Sequence, residues 1–210
     1  TESHLLTEAE AKTRLASHSV AVPRARTAHS PAEATQAAAT LGFPVVLKAL
    51  GLAHKTEAGA VALDLSCPEA VTTAATRMGG ADFLIEEMIT GGVVELLVGV
   101  IRDPAHGFVL TLGAGGVLTE RLADTVSLLL PVRPDDIRAA LDRLRIAPLL
   151  HGYRGAPGAD LDALVAAIGA VQACALAHAA QLQELEINPL IATPGRAIAL
   201  DALFRLGGNP

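Results

Sequence analysis

Short apolar runs cut apart by glycine and proline constrain this chain more than any other feature. The runs 44–50, 60–65, 81–88, 93–101, 108–112, 183–192 and 196–204 are each long enough for a strand and too short for a stable helix. Gly91-Gly92, Asp103-Pro104 and Pro194-Gly195 punctuate them. Residues 20–22, Val-Ala-Val, add one more short strand. Helix signals alternate with these runs. Thr7 with Glu10 forms a capping-box pattern that opens a helix ending near His18. Ser30-Pro31-Ala32-Glu33 opens another, with Gly42 as its stop. Ser66 with Glu69 opens a third, Pro134 starts a fourth reaching about Arg145, and 161–179 is the longest. In the last, Leu161, Leu164, Ile168, Val171 and Ala175 fall on one stripe, so it packs in a core and does not span a membrane. Mixed strands and helices without an internal repeat predict an α+β fold.

Composition narrows the function classes. The chain has 210 residues, 51% hydrophobic and 18% charged, enough for one large domain or two lobes sharing a cleft. Aromatic residues make up 2%, Trp is absent, and the formal charge is −6. Nucleic-acid readers use basic patches and aromatic stacking platforms, so nucleic acid is excluded as the main partner. Cys67 and Cys174 stand in unrelated contexts, which predicts neither a disulfide framework nor a zinc site and fits a reducing cytoplasm. The polar, acidic start at 1–10 is not a signal peptide.

Four segments can carry chemistry. Lys48 ends an apolar strand, where it reads either as a snorkelling edge residue or as a phosphate clamp. His54-Lys55-Thr56 lies between two strands and reads as a nucleophile loop or a solvated turn. Gly113-Ala114-Gly115-Gly116 follows a strand and reads as an anion cradle or a tight turn; it lacks the Lys-Ser/Thr of a P-loop. Glu86-Glu87-Met88 with Glu95 reads as solvating acids or as acceptors for an adenine amino group and ribose hydroxyls. The richest segment is 184–190, Glu-Leu-Glu-Ile-Asn-Pro-Leu, with Asp201. Pairing Thr193 with Arg196 across the Pro194-Gly195 turn places Asn188 opposite Asp201, with Glu184 and Glu186 on the same face. An Asn carbonyl facing a carboxylate makes a half-shell for Mg²⁺; a one-residue slip would part the two, and the same residues also read as a polar hairpin edge.

In chain order, 43–48 (FPVVLK), 54–61 (HKTEAGAV), 85–88 (IEEM), 95–100 (ELLVGV) with 102–104 (RDP), 113–117 (GAGGV) and 184–190 (ELEINPL) resemble the ATP-grasp domain of ADP-forming acyl-CoA synthetases, relatives of succinyl-CoA synthetase β subunits. The resemblance covers about 5–204. It implies an ATP-grasp fold with two lobes and the nucleotide cleft between them, lobe one about 20–86, lobe two about 87–210, and an N-terminal helix at 5–19. It implies ATP/ADP and Mg²⁺ as cofactors. Lys48 and Lys55 would bind phosphate, 86–88 would be a hinge reading adenine, and Glu95 would bind ribose. Gly113, Gly115 and Gly116 would line the phosphate region, and Asn188 and Asp201 would hold Mg²⁺. His54 matches the histidine that carries a phosphoryl group, and Glu186 matches the acid that steadies it. Aliphatic residues, among them Val46, Ile85, Met88 and Leu97, would form the adenine slot in place of aromatics.

The implied reaction is acyl-CoA + ADP + phosphate ⇌ carboxylic acid + CoA + ATP, and this chain would be its phosphoryl-transfer half. No Rossmann-like CoA-binding half is found, so a CoA-binding domain or α subunit is the expected partner, in a hetero- or homo-oligomer. The sequence departs from the family pattern at Ala60, where a second Gly is frequent, and at Glu186, where Asp is common. It also departs at Leu128 and Ala123, where many members carry Arg and Lys; Arg121 is a candidate compensator. Two alternatives stay open: a non-catalytic ATP/ADP-binding regulatory domain, and another ATP-grasp carboxylate ligase.

Overall fold

The computed structural model describes residues 3–50, 60–80, 82–116 and 123–207. These form two compact units, 23–90 and 1–22 with 91–210.

The smaller unit is a four-stranded antiparallel sheet with two helices on one face. Its strands are β2 (Ala25–Ala28), β3 (Val45–Ala49), β4 (Val61–Leu65) and β5 (Phe83–Glu87), in the order β2-β5-β3-β4. The helices are α2 (Pro31–Leu41) and α3 (Pro68–Met78). Ser30 caps α2 by accepting from the Glu33 N–H at 3.2 Å, and Pro31 occupies the first turn. Cys67, not Ser66, is the cap residue of α3, because Pro68 fixes where its first turn begins. Val45, Leu47, Phe83 and Ile85 pack on the alanine-rich helices and are fully buried. Ile85 therefore belongs to this core and is not part of an adenine slot.

The larger unit is built on an antiparallel sheet in the order β1-β11-β9-β6-β7-β8, with β10 also paired to β9. Its strands are β1 (His4–Leu5), β6 (Val94–Asp103), β7 (Gly107–Ala114), β8 (Thr125–Leu129), β9 (Leu182–Ala192), β10 (Ala197–Ala199) and β11 (Ala202–Leu206). Its helices are α1 (Glu8–Ser17), α4 (Pro134–Asp142), the single turn α5 (Ala147–Leu150) and α6 (Leu161–Ala177). The Thr7–Glu10 capping box is formed in both directions. The central stretches of β6 and β9 alternate. Val94, Leu96, Val98, Val100, Leu110, Leu112, Leu185 and Ile187 face the core shared with the helices.

Several elements differ from the expected ones. Residues 20–22 form no strand: Val20 turns inward and is buried in the larger core just before Pro23. The strand lies instead at Ala25–Ala28, an edge with three of its four residues exposed, where no hydrophobic alternation announced it. β8 was likewise invisible as an edge strand. The run 196–204 splits into β10 and β11 at Leu200 and Asp201, which lie outside the strands. Leu128 pairs with Leu110 and packs on the helix-side core.

Asp124 ties β8 to the α4–α5 connection. Its buried carboxylate accepts from the Arg145 N–H at 2.9 Å and the Ile146 N–H at 3.1 Å. Replacing it leaves two part-buried backbone donors without that partner. Asp124→Ala is expected to lower unfolding free energy in urea by about 2–3 kcal/mol, against about 1 kcal/mol for Ser30→Ala at the α2 cap.

Candidate functional site

In the smaller unit the chemistry lies on the sheet face turned away from α2 and α3. Val46, Lys48, Leu84 and Glu86 share this face by alternation and are all buried. Lys48 lies on β3, between β4 and β5, and is 7% exposed. It is not a snorkelling edge residue. Its Nζ lies 2.9 Å from Glu86 Oε2, across a diagonal of the β3–β5 ladder. A buried ammonium needs a partner of this kind, because desolvation of an isolated one costs several kcal/mol. The carboxylate of Glu86 is thus committed to Lys48.

The hinge residues beside it are also engaged. Glu87 accepts from the Arg24 N–H at 3.0 Å and from Arg24 Nε at 2.8 Å. The Glu87 N–H donates to the Arg24 carbonyl, and the Met88 N–H donates to the Pro44 carbonyl at 3.1 Å. These two N–H groups are spent inside the unit. Arg24 was missed because its partner lies 63 residues away.

In the larger unit a second set gathers on the sheet face opposite the helices. Thr193 N–H donates to the Arg196 carbonyl at 2.9 Å, and β10 and β11 continue that register: Ile198 faces Ile191, Ala202 faces Ile187 and Leu203 faces Glu186. The Asn188 N–H donates to the Asp201 carbonyl at 3.3 Å, so these residues are opposed as the hairpin register predicts. Glu184 and Glu186 alternate with buried Leu185 and Ile187. Arg205 Nε donates to Glu184 at 3.0 Å. The hairpin holds its register because the Thr193 hydroxyl donates to the Arg196 carbonyl and accepts from the Gly195 and Arg196 N–H groups. This side-chain turn was legible only as a Thr before Pro-Gly.

The glycine run joins this set for steric reasons. A Cβ on Gly115 would collide with the backbone of Leu96, and one on Gly116 would collide with the Glu95 carboxylate. Gly116 also has a positive φ of 68°, which glycine adopts without strain. Its N–H donates to Asn188 Oδ1 at 2.8 Å, aiming the amide oxygen. The Gly115 N–H donates to the Glu95 carbonyl at 2.9 Å. Gly113 lies against the Asp124 carbonyl and Thr125. Glu95, Gly113, Gly115, Gly116, Glu186, Asn188 and Asp201 are thus gathered by β6, β7, β9 and the β10–β11 break.

The electrostatics suit a hard cation. Burial first, then the Glu184 and Asp201 carboxylates, push the Glu186 carboxyl above its usual range. Crowded oxygen donors that repel one another match Mg²⁺, which takes oxygen ligands and keeps positions for water and phosphate. His54, Lys55 and Arg121 lie outside the described residues.

Comparison with known proteins follows the same lines. The sequence matches the ATP-grasp domain family over residues 1–206. It is 31% identical to the β subunit of acetate–CoA ligase [ADP-forming] I from Pyrococcus furiosus, over 96% of this chain and 91% of that one. It is 35% identical to a trans-feruloyl-CoA synthase of an unidentified prokaryote, over 96% of this chain and only 30% of the relative's length. A solved structure of the Ca. Korarchaeum cryptofilum dinucleotide forming acetyl-coenzyme A synthetase 1 holds coenzyme A and Mg-AMPPCP, with its phosphohistidine segment pointing towards the nucleotide binding site. It matches with a TM-score of 0.87 and 30% identity, over 96% of this chain and 92% of that chain. The chain belongs to the ATP-grasp domain family and is homologous to the β subunits of ADP-forming acetate–CoA ligases.

Proposed function

We propose that this chain is the nucleotide-binding, phosphoryl-transfer half of an ADP-forming acyl-CoA synthetase. The observation that carries the reading is the opposition of Asn188 and Asp201 beside Glu186, on one face of one sheet. Asn188 and Asp201 would hold Mg²⁺, which when bound offsets the charge of the nucleotide phosphates. Gly116 keeps the Asn188 amide oxygen aimed, so little reorganisation accompanies binding. Lys48, paired with Glu86, would place an ammonium against phosphate oxygens. Phosphoryl transfer needs little covalent work from the protein beyond positioning and charge neutralisation.

His54 is proposed as the phosphoryl carrier, since neutral imidazole is a nucleophile near neutral pH. Glu186 would accept a hydrogen bond from the ring N–H and steady the phosphorylated form. Glu95 would take the ribose hydroxyls. The hinge would read adenine through groups other than the Glu87 and Met88 N–H. The chain is about as long as the β subunits it matches and about 30% as long as single-chain relatives such as the feruloyl enzyme. A CoA-binding subunit or domain is therefore the proposed partner. The lobes proposed from the sequence are about 20–86 and 87–210. No described helix is long and apolar enough to cross a membrane. The free cysteines Cys67 and Cys174 support a reducing cytoplasm as its compartment.

Incubation with γ-labelled ATP and Mg²⁺ should leave acid-labile, base-stable label that is absent from His54→Asn. Equal labelling of the variant would refute the carrier; nucleotide binding by calorimetry without any labelling would favour a regulatory module. Asp201→Ala should weaken Mg²⁺-dependent ADP binding at least on the order of tenfold with the melting temperature nearly unchanged; unaltered Mg²⁺ dependence would reject the metal assignment. Glu186 gives a third test with a defined sign. A carboxyl raised above its unfolded value costs stability once ionised, and that cost grows as pH rises through its folded pKa. Glu186→Gln should therefore raise the melting temperature in EDTA at neutral pH, and the gain should vanish below the unfolded glutamate range.

A further inference from the structure

A second group of ligating side chains lies in the larger unit, separate from the set on the β9 face. His18 is the C-terminal cap residue of α1, and His178 is the C-terminal cap residue of α6. Cys174 lies one turn before His178 on α6 and is fully buried. One ligand atom from each of the three residues lies within 4.8 Å of the others. The sequence alone gave no reason to join them, because 156 positions separate His18 from Cys174.

We propose that His18, Cys174 and His178 bind a zinc-type divalent cation. The donor set is one sulfur and two imidazoles, which zinc prefers and Mg²⁺ does not. Tetrahedral zinc at about 2.0–2.3 Å from each ligand needs the donors to draw together by about 1 Å, a side-chain rotation rather than a backbone change. Cys174 and His178 have the i, i+4 spacing that places two ligands on one helical face. The His178 ring is already held: Nδ1 lies 2.8 Å from the Cys174 carbonyl and 4.0 Å from its Sγ. A ring nitrogen bonded to a backbone carbonyl is a common way of orienting a ligating histidine. The α6 C-terminus adds partial negative charge, with no Lys or Arg in its last turn, whereas the last turn of α1 carries Arg14.

The surroundings fit this use. His178 packs edge-on against His18 at 5.6 Å and against Phe204 at 5.4 Å, so a metal here would fasten α1 and α6 over β11. Arg14 lies over the same Phe204 ring at 5.6 Å. Burial pushes the Cys174 thiol up to about 11, outweighing the opposing effect of Arg14, so it does not act as a free nucleophile at neutral pH. Metal binding would release the thiol proton to solvent and leave a thiolate ligand. Three protein ligands would leave the fourth position to water.

Cobalt reads this site directly, because a thiolate ligand gives a charge-transfer band that oxygen ligands do not. The metal-free chain carrying Cys67→Ser would be titrated with Co²⁺. The expected result is one thiolate band per chain, displaced by Zn²⁺ and untouched by excess Mg²⁺. The band should disappear in Cys174→Ser and need at least on the order of tenfold more metal in His18→Gln. His18 is a half-buried cap residue, so His18→Gln remains informative if Cys174→Ser fails to fold. Absence of the band in the folded chain would overturn the proposal, as would a Co²⁺ affinity in His18→Gln and His178→Gln unchanged from that of the parent chain.

Discussion

The hydroxyl of Thr193 locks the turn on which the proposed metal-binding side of this protein depends. It holds both sides of the 194–195 turn, and the ladder beyond inherits the register. Because side chains alternate with period two, a slip of one residue would send Asn188 and Asp201 to different faces. The same slip would carry Glu184 and Glu186 into a core now filled by Leu185 and Ile187. Burial of that apolar row and the turn hydrogen bonds therefore support one another. Gly116 closes the arrangement by reaching from the end of β7 to the Asn188 amide.

Each unit divides its labour between the two faces of a sheet. One face is apolar and packs on helices; the other carries the charged groups. In the smaller unit this leaves a buried Lys48–Glu86 pair on the face away from α2 and α3. In the larger unit burial, and after it the Glu184 and Asp201 carboxylates, raises the Glu186 carboxyl. Such pairs and clusters do little for stability in themselves.

Much of this was legible in the residues. Helix starts were readable where a cap and a proline coincide, as at Ser30-Pro31, because those signals act within one turn. Buried strands were readable as short apolar runs bounded by glycine and proline, because a core demands such runs. Edge strands were not: Ala25–Ala28 owes its conformation to pairing with β5, not to any pattern of its own. Lys48 was ambiguous for the same reason. Its role turns on whether β3 lies at the edge or the centre of its sheet, and strand order is a non-local property.

By itself, the sequence determined the capped helices, the apolar-run strands and the family, since each rests on local chemistry or on ordered motifs, and it offered the hairpin register that the structure holds. The opposition of Asn188 to Asp201 was computable from one turn. Only the tertiary structure decided which polar groups are already spent: Glu86 on Lys48, Glu87 on Arg24, and the Met88 N–H on Pro44. It alone brought His18 to Cys174 and His178. The physical reason is common to all of these. Hydrogen-bond and charge partners are chosen by proximity after the sheets and helices pack, and that proximity has no signature in residue spacing.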